Sequence, residues 1–141
     1  MDDISLSLSG GGIRAMAFHL GVLQYLSEHQ LLEKIKRIST VSGGSLLIGL
    51  ILHEANMLWP NSNTYKAHVF PQLKEKLCSK SFITGMLKLL INPANIHMLI
   101  YRANLLAEVL RREWGIKYSL SELPELPEIS INGSTAETGK R

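Results

Sequence analysis

The sequence predicts an α/β domain, because two short strand-like segments each lead into a glycine-rich turn and then into a helical segment. Ile4 to Leu8 alternates apolar residues with serine, and Ile35 to Val41 is short and partly β-branched. Parallel strands need a crossover of a dozen or more residues, and the helical pattern between these segments supplies one. With a third strand at Glu128 to Asn132, we expect a parallel or mixed sheet flanked by helices.

The first half of the chain follows this order closely. The period of two at Ile4 to Leu8 predicts a strand, because successive strand side chains point to opposite faces. Residues 13–30 are predicted to form a helix that is buried on more than one side. Its two apolar faces are Met16, Leu20 and Leu23, and Phe18, Val22 and Tyr25. A second helix, apolar all round, is predicted from Gly43 to about Leu58, where Trp59-Pro60-Asn61 stops it.

The second half is predicted to be mainly helical. Residues 64–78, 81–91 and 94–114 have helical patterns, with a turn at Asn92-Pro93. The most apolar of these stretches, Gly85 to Tyr101, is either an ordinary core helix or the lining of an acyl-chain groove or lid. In the third strand Ile129 and Ile131 share one face. Three strands make a small sheet, so residues 1–141 are expected to be a domain truncated after about three strands.

Composition limits the class of protein and its partners. Apolar residues are 45% and charged residues 19% of the chain, which is typical of a globular domain, and the net charge is +3. The basic residues are scattered, so we expect no nucleic-acid partner. The single cysteine, Cys78, allows no internal disulfide and forms no metal cluster. No secretory signal or membrane span is recognised, so we expect a cytoplasmic protein that is either free or peripherally bound to a membrane.

The second glycine-rich turn, Thr40 to Gly44, has the pattern of a nucleophile elbow. A serine hydroxyl is a poor nucleophile unless a base takes its proton and donors stabilise the oxyanion that forms on the attacked carbonyl. A tight strand-to-helix turn pushes the serine out of the sheet and places the next backbone N–H and the helix N-terminus beside it. Ser42 fits this position, and Gly43 and Gly44 remove side chains that would crowd the turn.

The first turn, Ser9 to Gly12, is called the glycine loop below. Gly10, Gly11 and Gly12 allow backbone N–H groups to converge on an anion at the start of a helix. Arg14 lies in the first helical turn, where a cation opposes the helix dipole. Arg14 therefore either braces the elbow, meets an anionic group of the substrate, or is an ordinary solvated arginine.

Taken together, the two turns resemble the patatin-like phospholipase family. Ser9 to Ala15 resembles its oxyanion motif and Val41 to Ser45 its elbow, while Leu120 to Pro124, Ile129 to Asn132 and Thr138-Gly139 resemble its next strand. The resemblance implies a Ser–Asp pair, without histidine, metal or cofactor, that hydrolyses fatty acyl esters of phospholipids or neutral lipids. It assigns Ser42 as the nucleophile, Arg14 as a supporting cation, and an oxyanion hole formed by Gly10, Gly11, Gly12 and Gly43.

The chain departs from the family pattern at two points. Thr40 stands where the G-x-S-x-G pattern has glycine, which costs packing freedom without preventing the turn. The family's Asp-Gly pair is absent, so residues 1–141 are expected to be the amino-terminal portion of the domain. The only aspartates, Asp2 and Asp3, precede the first strand, which separates them from the site by roughly 20 Å at about 3.3 Å per residue.

Three functions therefore remain open. The parent activity is expected to be serine-dependent lipid acyl hydrolysis through an acyl-enzyme, with the isolated chain inactive for lack of its acid. The chain could instead be a catalytically incomplete lipid-binding or regulatory module, or a phosphate-binding module built on the glycine loop. Catalytic histidines are not expected. His19 lies near enough to the glycine loop in sequence to suggest a triad, but His53 lies nearly three helical turns beyond Ser42, and His29, His68 and His97 have no partner pattern.

Overall fold

A computed structural model of the chain describes residues 3–79 and 102–133. The strands and helices follow in the order β1 (Ile4–Leu8), α1 (Gly12–Glu28), β2 (Ile35–Val41), α2 (Gly43–Glu54), α3 (Ser62–Thr64), α4 (Phe70–Ser79), α5 (Arg102–Glu113) and β3 (Glu128–Asn132). A π-helical turn, Tyr65–Val69, joins α3 to α4. Short 3₁₀ turns lie at Leu32–Lys34 and Leu120–Glu122.

The three strands form a parallel sheet in the order β1-β2-β3. Leu6, Ile38 and Ile129 lie side by side in one row across the sheet, and Ser7, Ser39 and Ser130 form the next row. All three carboxyl ends therefore meet at the same edge, where the glycine loop and the elbow leave the sheet. This confirms the predicted α/β fold with a parallel sheet flanked by helices.

One face of the sheet is buried and the other is polar. Leu8, Ile38 and Thr40 are buried on the first face, whereas Ser7 and Ser39 on the other face are exposed. On the polar face an exposed ion pair joins Arg37 and Glu128, whose Nε and Oε2 atoms are 3.2 Å apart. An exposed pair of this kind adds little stability, so the sheet is held mainly by its apolar side.

The core lies between that apolar face and the helices. Met16, Leu20 and Leu23 of α1 are buried in one cluster with Leu47 and Ile51 of α2. The buried Tyr65 reinforces this packing by donating a hydrogen bond from its hydroxyl to the Leu20 carbonyl, 3.1 Å away. The expectation that α1 is buried on more than one side is wrong, because its second face is exposed. That face consists of Phe18, Val22 and Tyr25.

The helix ends differ slightly from those predicted. α2 ends at Glu54 and not near Leu58, because Asn56 and Met57 have φ values of 53° and 61°, which a right-handed helix does not allow. The helix predicted at 81–91, the groove or lid segment Gly85 to Tyr101 and the first part of the helix predicted at 94–114 lie outside the described residues. Within residues 3–79 and 102–133, no helix combines the length and the apolar content needed to cross a membrane.

Candidate active site

Ser42 occupies the sharp turn between β2 and α2. Its backbone has φ 53° and ψ −117°, a conformation that residues with a Cβ atom rarely adopt. The side chain is exposed, and although Ser42 is the N-cap residue of α2, its hydroxyl makes no capping hydrogen bond. Serine is among the favoured N-cap residues because its oxygen usually accepts from the first helical amides. Among residues 3–79 and 102–133 this hydroxyl has no hydrogen-bond partner.

The glycine loop approaches Ser42 closely. A Cβ atom built on Gly10 would lie 3.1 Å from Ser42 Cβ and 3.7 Å from Ser42 Oγ. Gly11 and Gly12 have φ values of 137° and 60°, which glycine adopts without strain. The two turns that the sequence places far apart along the chain are therefore in contact at the carboxyl edge of the sheet.

Gly43 and Gly44 make this contact possible. A Cβ atom on Gly43 would lie 2.5 Å from the Gly12 carbonyl oxygen and 3.0 Å from the Gly12 nitrogen. A Cβ atom on Gly44 would lie 2.6 Å from the Leu8 carbonyl oxygen. Both glycines are buried, and the atoms that they approach belong to the backbone, which cannot swing aside as a flexible side chain can. Close packing against β1 and the glycine loop therefore explains both glycines of the elbow.

Two helix N-termini consequently meet beside one hydroxyl. The first amides of any helix have no acceptor inside the helix, and aligned peptide dipoles leave a partial positive charge there. No side chain caps α1 at Gly11 or α2 at Ser42. The uncapped amide groups and the Ser42 hydroxyl form a site suited to an anionic oxygen.

A chain of hydroxyl groups holds the elbow from the buried side. Ser45 Oγ donates to Thr40 Oγ1 at 2.9 Å, and Thr40 Oγ1 donates to the Ser130 carbonyl oxygen at 3.2 Å. Asn132 Nδ2 donates to the Thr40 carbonyl oxygen at 3.1 Å and to Ser39 Oγ at 2.9 Å. Thr40, the departure from the glycine pattern, therefore ties the first turn of α2 to β3, and its side chain has a structural reason to be there.

Comparison with families of known proteins agrees with this geometry. The family of patatin-like phospholipases matches residues 6–118, which include the glycine loop and the elbow. The chain belongs to the patatin-like phospholipase family. Separate comparisons with curated proteins and with solved structures give no match. Membership confirms the predicted family and indicates a hydrolase of lipid metabolism with a lipid substrate.

Arg14 of this patatin-like chain lies in the first turn of α1. Its side chain is exposed, and among residues 3–79 and 102–133 it forms no ion pair or hydrogen bond with Thr40 to Gly44. The guanidinium group therefore remains open to solvent at the start of α1. Contact with an anionic group of a substrate stays a prediction.

The two histidines considered from the sequence occupy different environments. His53 lies eleven residues beyond Ser42 on α2, about 16 Å away at 1.5 Å per residue. It packs against Tyr118, with ring centroids 5.8 Å apart, and burial lowers the pKa of its imidazole. His19 is buried and contacts Ser9, the residue that opens the glycine loop. No sequence pattern signals that contact, because it depends on how the loop turns back over α1.

Two cavities lie on either side of the elbow. A cavity of about 420 Å³ at the carboxyl edge is lined by residues of all three strand ends, including Ser7, Leu8, Ser39, Val41 and Asn132. A second cavity of about 410 Å³ lies along α2 and is mainly aliphatic. Its lining includes Thr40 and Ser45, which flank Ser42 in sequence, and Leu46, Ile48, Leu52, Leu123, Ile129 and Ile131.

The described residues offer no site for a metal ion. Within 3–79 and 102–133, no group of three or more His, Cys, Asp or Glu side chains lies close enough together to bind one.

Proposed function

We propose that the chain is the amino-terminal portion of a serine-dependent lipid acyl hydrolase, with Ser42 as its nucleophile. The observation that supports this most strongly is the free hydroxyl of Ser42, held at φ 53° against the glycine loop and unused as a helix cap. A residue kept in a costly conformation, beside uncapped amides, indicates a chemical role more than a structural one.

In the proposed reaction Ser42 Oγ attacks the carbonyl carbon of an acyl ester and gives up its proton to a base. The oxygen of that carbonyl becomes negative, and the amides of Gly10, Gly11, Gly12 and Gly43 stabilise it. The base passes that proton to the departing alkoxide, which leaves as an alcohol, and an ester remains between Ser42 and the acyl chain. Water then attacks this acyl-enzyme through a second oxyanion and releases the fatty acid.

The base is proposed to be a carboxylate outside residues 1–141. Among the described residues Ser42 Oγ has no hydrogen-bond partner, and the sequence contains only two aspartates, Asp2 and Asp3, which precede β1. A further segment or a second chain would have to place the carboxylate within about 3 Å of Ser42 Oγ. Until it does, we expect Ser42 to react slowly.

The aliphatic cavity along α2 supports a lipid substrate. Thr40 and Ser45, which flank Ser42 in sequence, line this cavity, and the Ser45 hydroxyl donates a hydrogen bond to the Thr40 hydroxyl. Burying an acyl chain there would remove apolar surface from water, at about 25 cal/mol per Å². We propose this cavity as the acyl-chain site.

A second candidate is a catalytically incomplete module that binds lipid or regulates a partner. The described residues favour it in one respect, since the cavity is present whereas no acid contacts Ser42. Such a module would bind acyl chains without forming an acyl-enzyme.

A fluorophosphonate probe distinguishes the two candidates. An enzyme is expected to become labelled, although slowly while its base is absent, and labelling should disappear in Ser42→Ala while surviving in Ser5→Ala, which removes an exposed serine at the other end of β1. A folded chain that is not labelled, but binds a fluorescent fatty acid, supports the module. Equal labelling of Ser42→Ala and the native chain would show that Ser42 is not the nucleophile.

A further inference from the structure

His19 has one contact that the proposed chemistry does not yet use. Its Nε2 atom lies 3.2 Å from Ser9 Oγ and 3.3 Å from the Ser9 carbonyl oxygen. The imidazole is buried, and the ring of Phe18 meets it edge-on with centroids 5.3 Å apart. α1 therefore reaches back to the start of the glycine loop.

The chemistry of the two oxygens assigns the hydrogen on His19. A carbonyl oxygen can only accept, so its bond requires the hydrogen to be on Nε2. The Ser9 hydroxyl oxygen can accept from the same N–H group. We assign the Nε2–H tautomer, with its hydrogen shared between the carbonyl and the hydroxyl of Ser9.

The Ser9 carbonyl belongs to the same planar peptide unit as the Gly10 amide. In a trans peptide the C=O and N–H bonds point in opposite directions, so holding one fixes the other. Without such a constraint this unit could rotate easily, because glycine has few steric limits on φ and ψ. Gly10 is also the loop residue whose built Cβ atom approaches Ser42 Oγ, at 3.7 Å.

We infer that His19 is a positioning residue: by binding the Ser9 carbonyl it aims the Gly10 amide at the oxygen that develops beside Ser42. This inference rests on the proposed function for its catalytic consequence. Its structural part, the coupling between the imidazole and the Gly10 amide, holds whether or not Ser42 reacts.

Nuclear magnetic resonance of the full 141-residue chain tests the structural part. In the native chain the ¹⁵N resonances of His19, recorded where the ring is neutral, should show the Nε2–H tautomer. His19→Leu should shift the Gly10 amide resonance, because the peptide unit that carries this amide loses the hydrogen bond at its carbonyl. His19→Gln, which keeps a donor on a side chain of similar reach, should restore most of the native shift.

His29→Leu is the matched control. His29 lies at the end of the same helix, is exposed, and donates from Nδ1 to the Tyr25 carbonyl oxygen at 2.8 Å. His29→Leu also removes a hydrogen bond between a histidine and a backbone carbonyl, but away from the glycine loop. It should leave the Gly10 amide resonance unchanged.

The catalytic consequence is read from fluorophosphonate labelling, which we expect to slow at least tenfold in His19→Leu and to recover in His19→Gln. An unshifted Gly10 amide in folded His19→Leu would overturn the inference. If that variant does not fold, the native tautomer decides, and an Nδ1–H tautomer overturns it. A Gly10 response without labelling of the native chain would support the inference and count against the proposed function.

Discussion

Replacing Gly43 by alanine tests the contact between the elbow and the glycine loop. The new Cβ atom would lie 2.5 Å from the Gly12 carbonyl oxygen, whereas ordinary contacts begin near 3.4 Å, so the two turns must separate by almost 1 Å. Overpacking of this kind costs about 1–3 kcal/mol. Alanine recovers about 0.5–1 kcal/mol because it restricts the unfolded chain and favours a helix.

The expected net result for Gly43→Ala is a loss of about 0.5–2 kcal/mol in the free energy of unfolding. For 141 residues this lowers the melting temperature by roughly 3 °C for each kcal/mol. Circular dichroism measures the melting temperature, and fluorophosphonate labelling measures the site. Labelling should fall about 100-fold, because a misplacement of about 1 Å at a reacting group can cost that much.

Gly21→Ala is the matched control for this experiment. Gly21 lies inside α1, is exposed, and has no atom within 4 Å of a Cβ atom built on it. The same substitution there should stabilise the chain by up to about 1 kcal/mol and leave labelling unchanged. If Gly43→Ala melts as high as Gly21→Ala and labels at the native rate, the close approach of Gly43 to Gly12 does not exist.

Three further outcomes are expected. Ser42→Gly should abolish labelling yet raise the free energy of unfolding by about 1 kcal/mol, since glycine adopts a positive φ without strain. If urea unfolding shows the variant to be less stable than the native chain, Ser42 is not strained. Gly49→Leu, which adds a side chain beside the aliphatic cavity where a Cβ atom meets nothing within 4 Å, should shorten the acyl chains accepted in fatty-acid competition, whereas Gly21→Leu should not. Burial raises the pKa of Tyr65, so the unfolded chain loses the hydroxyl proton at a lower pH than the folded chain does, and the free energy of unfolding falls as pH rises above about 10. In urea unfolding at pH 9 to 11, Tyr65→Phe should show a smaller fall in that free energy.

The strands and turns were predictable because local signals define them. Ile4–Leu8, Ile35–Val41 and Glu128–Asn132 have the predicted bounds, since alternation or β-branching ends at glycine, serine or proline in each case. The end of α2 was missed, because its signal is Asn56, which takes the left-handed conformation less often than glycine and so marks a helix end more weakly.

Contacts that depend on tertiary structure were also beyond the sequence. The sequence of α1 shows that Phe18, Val22 and Tyr25 form an apolar face, but it does not show whether another element covers that face. In the structure these three side chains are exposed. The bond from His19 to Ser9 requires the glycine loop to fold back over α1, which no periodicity reports. Sequence patterns located the two turns, whereas the residues that each turn contacts are seen only in the folded structure.

The conformation of Ser42 is the strongest physical argument for chemistry at this edge. A residue with a Cβ atom at φ 53° carries about 1–3 kcal/mol of strain, and an unused serine cap forgoes about 1 kcal/mol more. Glycine would remove the strain, and the neighbouring positions 43 and 44 show that glycine is accepted in this turn. Burial of Leu47, Leu50 and Ile51 of α2 in the core can offset the strain at Ser42. That burial does not depend on serine being the residue at position 42. Packing therefore permits serine at position 42 but gives no reason for it, whereas the proposed role of Ser42 as a nucleophile does.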